Sequence, residues 1–248
     1  MRKLIAAMLV AGAANIALPV LAADLPVYSP IIDIPDVDYG VQGSFYLRGS
    51  AAANALWTRE VKADECGCGD VTYPVNDWGY GYSVGAGFGY ETGTGLRFDA
   101  TVDYLANDGV SITKTAPGVA GKYSLKLRST IALANAYYDF SFANSGMGSG
   151  YSAAGGAFGY VGAGIGAAFN QVSVDAPAGN PITGGSNTSL AAAGMVGVGY
   201  DFGAFTADVG YRAIYLAKIA NNQPSPMGFS TSNNWIHEVR STLRYRIN

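Results

Sequence analysis

Twelve charged residues fall at alternate positions of extended segments: Arg48, Arg97, Asp99, Asp103, Lys126, Arg128, Asp208, Arg212, Glu238, Arg240, Arg244 and Arg246. Alternate residues of a strand share one face, so these side chains are expected to share an interior. There, carboxylates can neutralise guanidinium groups at low dielectric. Two kinds of chemistry follow. A network of satisfied pairs would plug the interior. An incompletely paired set would line an ion path with a basic bias, since the eight cations outnumber the four acids.

Three other constellations are weaker. His237 is the only histidine and shares a strand face with Ser241. Four residues along a strand span roughly 13 Å, too far for base and nucleophile to meet. A histidine at the rim of the barrel is the expectation, and no catalytic residue is assigned. Cys66-Gly67-Cys68 lies beside Asp64, Glu65 and Asp70. In an exported chain a local Cys66–Cys68 disulfide is favoured, although a bridge across one residue departs from ordinary geometry. Two thiols without a nearby histidine make half a metal site. Gly162-Ala163-Gly164-Ile165-Gly166-Ala167 has the letters of a dinucleotide fingerprint, which needs a strand-to-helix turn and an acid about twenty residues on. Here the run lies inside an extended segment, so no cofactor is expected.

The chain's 248 residues carry 13% charged, 12% aromatic and 49% hydrophobic side chains. Charge is about half the ~25% of a soluble domain. Mean hydropathy is only +0.16, and no run of about 18 apolar residues follows residue 23, so helical spans are excluded. The net charge of -3 offers no basic field for nucleic acid. The aromatic content is too high for a disordered chain.

Residues 1–22 read as a signal peptide: Arg2 and Lys3, an apolar run from Leu4 to Leu18, and Val20-Leu21-Ala22 at the cleavage site. Residues 23–39 form a Pro-rich periplasmic lead with prolines at 26, 30 and 35. Residues 40–248 then repeat one signal, alternation with period two.

Eight alternating segments are legible: 40–51, 79–90, 96–104, 122–142, 158–169, 190–200, 205–215 and 236–247. In 96–104, Leu96, Phe98, Ala100, Val102 and Tyr104 oppose Arg97, Asp99, Thr101 and Asp103. In 122–142, Tyr123, Leu125, Leu127, Ile131, Leu133 and Tyr137 oppose Lys122, Lys126, Arg128 and Thr130. Most segments reach the ten or so residues of a tilted membrane strand, beyond the five or six usual in soluble sheets. Tyr80, Tyr90, Tyr104, Tyr137, Tyr200, Tyr211, Tyr215 and Tyr245 cluster near segment ends, as an aromatic girdle would.

Connections alternate in length. Links 52–77, 105–121, 170–189 and 216–234 are long, 91–95 and 201–204 are tight, and 143–157 is intermediate. The expected fold is therefore all-β: an eight-stranded antiparallel transmembrane β-barrel with short periplasmic turns and long extracellular loops, in the outer membrane. An interior of this size is just wide enough for its own side chains. Inward glycines of the second and fifth segments would leave at most a small wet cavity.

The chain resembles the small eight-stranded outer-membrane barrels of the opacity and OmpA-like class. Within that class it is most similar to the 25/31 kDa outer-membrane protein family of alphaproteobacteria. The resemblance rests on Ala22-Ala23-Asp24-Leu25-Pro26, on His237-Glu238-Val239-Arg240 and on Leu243-Arg244-Tyr245-Arg246. It implies a non-enzymatic protein of the cell outer membrane that supports envelope integrity and surface contact. The implied partners are outer-membrane lipid and lipopolysaccharide, the barrel-assembly machinery, and host or cell-surface ligands met by the loops. A narrow porin passing ions or small solutes is the alternative.

Overall fold

A computed structural model describes residues 43–64, 70–114, 120–142, 156–177, 183–224 and 227–247. The signal segment, the Pro-rich lead, Cys66 and Cys68 lie outside the described residues. Ten strands follow in chain order: β1 Ser44–Trp57, β2 Glu60–Asp64, β3 Asp70–Asp77, β4 Gly79–Glu91, β5 Leu96–Lys114, β6 Gly121–Ser141, β7 Gly156–Asp175, β8 Gly185–Asp201, β9 Phe205–Ala220 and β10 Phe229–Ile247.

Neighbours pair antiparallel, and β1 pairs with both β10 and β4, closing a ring of β1 and β4 through β10. Closure at this level leaves no open edge among the described residues and pairs the backbone internally, which hydrocarbon requires. The turns at one end are tight: Thr92 N–H bonds Leu96 O at 2.9 Å, and Phe202 N–H bonds Phe205 O at 2.8 Å.

The ring is really two stacked rings of eight. Above Trp57 and Trp78 the chain forms the hairpin β2–β3, which pairs with β10 on one side and β5 on the other. The hairpin thus takes the places of β1 and β4. Trp57 opposite Trp235 and Val61 opposite Thr231 keep a single register along β10. The sequence reading had given 52–77 to an outer loop. The sequence also ends most other strands near the membrane, whereas β5, β7, β8 and β10 run well beyond those bounds and β6 matches its expected 122–142.

Outward residues define a belt. On β7 they are Val161, Ile165 and Phe169, and on β8 Leu190, Val196, Val198 and Tyr200, each about half exposed. On both strands the outward face turns polar immediately above, at Gln171 and at Thr188. About ten to twelve residue steps along strands tilted near 40° give a belt roughly 25–30 Å tall, the height of an outer-membrane hydrocarbon layer.

Above the belt the interior changes character. Val61, Val110, Ile112, Leu125, Leu127, Val172, Leu216, Ile219 and Phe229 form an apolar core inside the upper ring, and the same cluster continues down into the lower ring through Leu56, Leu105, Ile131, Leu133 and Met195. The register of β5 against β6 shifts between Asp108 and Val110 at Gly109, whose φ of 102° favours glycine. Below this bulge the odd-numbered residues of β5 face inward; above it Val110, Ile112 and Lys114 do.

Candidate functional site

The chemistry-bearing residues collect inside the lower ring. Arg48 of β1 donates to Asp99 of β5 at 2.6 Å and to the Tyr137 hydroxyl of β6 at 2.8 Å. Tyr46 and Asn135 also donate to Asp99, at 2.9 and 2.7 Å. Arg97 makes a bidentate pair with Asp139, at 3.0 and 2.9 Å, and its guanidinium lies 4.0 Å from the Tyr137 ring centroid. Arg212 bridges Asp103 at 2.8 Å and Glu238 at 2.6 Å, while Ser83 donates to Glu238 at 2.7 Å. Arg240 bonds Ser50 at 2.7 Å and reaches Asp103 at 3.4 Å. Tyr160 donates to Asp208 at 3.0 Å. Charge-assisted and bidentate bonds of this kind hold both partners in register.

Nine of the twelve sequence-selected residues therefore sit within this network: Arg48, Arg97, Asp99, Asp103, Asp208, Arg212, Glu238, Arg240 and Arg244 are all buried inside. Arg246 closes the lower rim, pairing with Glu91 and, at 2.6 Å, with Asp201.

Lys126 and Arg128 are corrections. They face outward above the belt, where Lys126 pairs with Asp175 at 2.7 Å and Arg128 with Asp108 at 2.7 Å. The physical reason is the length of β6. Its upper half stands in water with the apolar core behind it, so Tyr123, Leu125 and Leu127 turn inward and the cations outward. The Arg128 hydrogen bonds hold the Asp108 carboxyl below the usual carboxylate range. Asp77, higher up the wall beside Ser111, is held down first by the Ser111 hydroxyl and then by Lys122.

Three acids of the network are not singled out by sequence: Glu91 and Asp201 at the rim, and Asp139, which stands at the polar end of a segment whose inward face the sequence assigns to the cations. With Asp139 included, the two exterior cations removed and Arg246 matched at the rim by Glu91 and Asp201, the basic bias disappears. Arg48, Arg97, Arg212, Arg240 and Arg244 face Asp99, Asp103, Asp139, Asp208 and Glu238, five charges of each sign among the described residues. Tyr137, read as a girdle residue, is also inside, 3% exposed and beneath Arg97. Tyr80, Tyr90, Tyr104, Tyr200, Tyr211 and Tyr245 do stand on the outer wall.

The inward glycines make room for neighbouring side chains. A Cβ at Gly85 would strike the Asp103 carboxylate, and one at Gly89 would lie 2.5 Å from the Tyr46 ring. On β7, Gly162 makes way for the Tyr137 ring and Gly164 for Asn135. Their missing side chains are the room the network occupies. The cavity enclosed among Arg48, Arg97, Tyr137, Tyr160, Asp208, Arg212 and Arg240 measures about 10 Å³, about the least that holds one water.

Arg244 is the exception in the network. Its three guanidinium nitrogens have no hydrogen-bond partner, and it stands 3.7–3.8 Å from Glu91, Asp139 and Asp208. Its planar face is flanked by Tyr46 and Phe158, 5.6 and 5.4 Å from their ring centroids. Stacking on aromatic faces suits arginine better than lysine.

His237 stands on the outer wall with its ring stacked on Tyr211, centroids 6.0 Å apart, and its Nδ1 against the Tyr211 hydroxyl. Its neighbour is a phenol on a wall facing outward, not a serine in a cleft. Among the described residues no cluster of three or more His, Cys, Asp or Glu side chains has the arrangement of a metal site.

No family model and no curated protein matches the chain. Solved structures do. Neisserial surface protein A is 22% identical, with a TM-score of 0.49, over 83% of this chain and 99% of that one. The outer-membrane protein OprG from Pseudomonas aeruginosa is 16% identical, TM-score 0.46, over 83% and 97%. Ail, the attachment invasion locus protein of Yersinia pestis, is 12% identical, TM-score 0.40, over 83% and 99%. At this level the likeness concerns strand arrangement alone.

Proposed function

We propose that this chain is an integral protein of the bacterial outer membrane, a sealed eight-stranded barrel that supports the envelope and presents its upper ring and loops for surface contact. The observation that carries this reading is the filled interior. Five arginines and five carboxylates occupy the lower ring around a space of about 10 Å³, and an apolar core occupies the upper ring. A hydrated ion needs a continuous path, and the filling of both layers among the described residues supports a plug over such a path. The half-exposed apolar belt and the closed backbone suit hydrocarbon. The motifs in 22–26 and 237–246 favour the alphaproteobacterial 25/31 kDa family within this class. Lipopolysaccharide, the assembly machinery and surface ligands are the partners such a protein would meet. The chain works without enzymatic chemistry, with His237 a wall residue beside Tyr211.

Single-channel conductance of the refolded chain in a planar bilayer tests the reading, with heat-modifiable gel mobility as the folding control. A folded barrel that stays silent supports it; discrete steps that change with Arg240→Glu would overturn it in favour of a narrow pore. One observation favours that second reading: Arg244 has three carboxylates near it and hydrogen bonds to none, so the lower end of the network is its least fixed point.

A further inference from the structure

The ladder between β8 and β9 ends at Ala191–Leu216, although both strands continue upward. Side-chain amides bridge the seam from there. Asn187 accepts from Ala220 N–H at 2.8 Å and donates to Lys218 O at 3.0 Å. Asn222 donates to Ser186 O at 2.9 Å, and Gln223 to Gly184 O at 3.2 Å. Asn170 ties the inner side of β7 to Ser129 and Ser189. Beside this seam lies an open groove of about 470 Å³, lined on the outside by Phe169, Gln171, Ser186, Thr188 and Asn222.

Three features specify what the groove suits. No charged side chain lines it, and the nearest outward acid on β7, Asp175, is neutralised by Lys126 at 2.7 Å. Its outward groups are amides and hydroxyls with an exposed aromatic ring at the base, which together offer donors, acceptors and an apolar face. It also straddles the upper edge of the belt: Phe169 stands opposite Thr188, and Ala167 opposite Leu190, one step below in hydrocarbon. Whatever seats here has a neutral polyhydroxyl part in water and an apolar part beside Leu190 and Ile165. We infer that the β7–β8 groove binds the neutral sugar headgroup of a glycolipid in the outer leaflet. Its rigid back is set by Asn170 and Asn187, so little ordering cost falls on binding.

The inference rests on the membrane reading above. The refolded chain would be reconstituted in vesicles containing equal amounts of a dihexosyl diacylglycerol, a phosphatidylglycerol and a phosphatidylcholine, and the lipid retained on extraction quantified by mass spectrometry. The dihexosyl lipid is expected to be enriched over both phospholipids. Gln171→Ala with Thr188→Ala should cut the enrichment about threefold to tenfold, the worth of one or two neutral hydrogen bonds. Thr113→Ala on β5 should leave it unchanged, with gel mobility confirming that each variant folds. Failure to enter vesicles would sink the membrane reading itself. Insertion without glycolipid enrichment, enrichment of phosphatidylglycerol instead, or enrichment that survives the double variant would each overturn the inference alone. A free disaccharide that binds as tightly by saturation-transfer NMR, with no lipid enrichment, would overturn the choice of a membrane glycolipid as its source.

Discussion

The two rings of this barrel share six strands and solve the interior in opposite ways. The lower ring faces hydrocarbon outside and holds ion pairs inside. The upper ring holds Leu125, Leu127 and Leu216 inside, while Lys126 and Arg128 stand outside in water. The same strands thus carry a membrane-protein pattern below and a soluble-protein pattern above. The interior of a barrel is not polar or apolar by nature; it takes what the outer medium refuses.

The strongest way to break this comparison is to unbalance one layer at a time. Asp139→Ala leaves the Arg97 guanidinium buried without its bidentate partner. It is expected to cost about 3–5 kcal/mol in urea unfolding followed by tryptophan fluorescence. The double variant Arg97→Met with Asp139→Leu should recover most of that loss, because the replacement leaves no uncompensated charge. A double variant as unstable as the single one would show that the lower interior needs charge as such.

In the upper ring the same logic runs on volume. Leu127, fully buried, should lose about 2–5 kcal/mol as Leu127→Ala through lost transfer energy and the cavity left behind. Unchanged stability would mean that the upper ring is not a packed core.

The exterior cations sharpen the contrast because they look like network residues in sequence. Arg128→Glu is expected to change stability by no more than about 1 kcal/mol, as for other exposed pairs. It should leave the conductance of the barrel unchanged, whereas a change in current would place Arg128 back on an ion path.

The smallest expected effect is a pH response of the outer hairpin. The Asp77 carboxyl lies below its ordinary value because of Ser111 and Lys122. A depressed carboxylate contributes stability above its unfolded pKa, near 4, and loses it as pH falls through the folded value. Amide exchange in β3 and the facing part of β5 should therefore quicken below about pH 4, with little change between pH 5 and 8. High salt should mimic a part of the effect, since the Asp77–Lys122 pair is exposed.

Much of the outer wall was legible from residues alone. Leu96, Phe98, Ala100, Val102 and Tyr104 all face outward as their alternation requires, and Arg97, Asp99 and Asp103 face inward. The main error runs the length of β6, whose apolar face, including Ile131, Leu133 and Tyr137 at the level of the belt, lies inside. In 122–142 the alternation itself was right, but Lys126 and Arg128 were put on the inner face. Period two separates two faces without naming which is inside. The missing partner, Asp139, lay on that mis-assigned strand. The hairpin β2–β3 was unreadable for another reason. Its strands are five and eight residues long and take their place only by pairing with β10 and β5, far away in sequence.

The sequence alone determined a chain of long alternating strands, poor in charge, whose apolar face could meet hydrocarbon. That much is local, because each outward side chain meets the surrounding medium without reference to any partner. Tertiary structure decided the rest: where on each strand the outer medium changes, which carboxylate answers which guanidinium, and how Gly85 and Gly162 yield space to Asp103 and Tyr137. Those outcomes depend on register between strands up to about two hundred residues apart, as in Phe45 opposite Ile247. Only the closed ring fixes that register, because a slip of one residue would turn every charge toward the lipid.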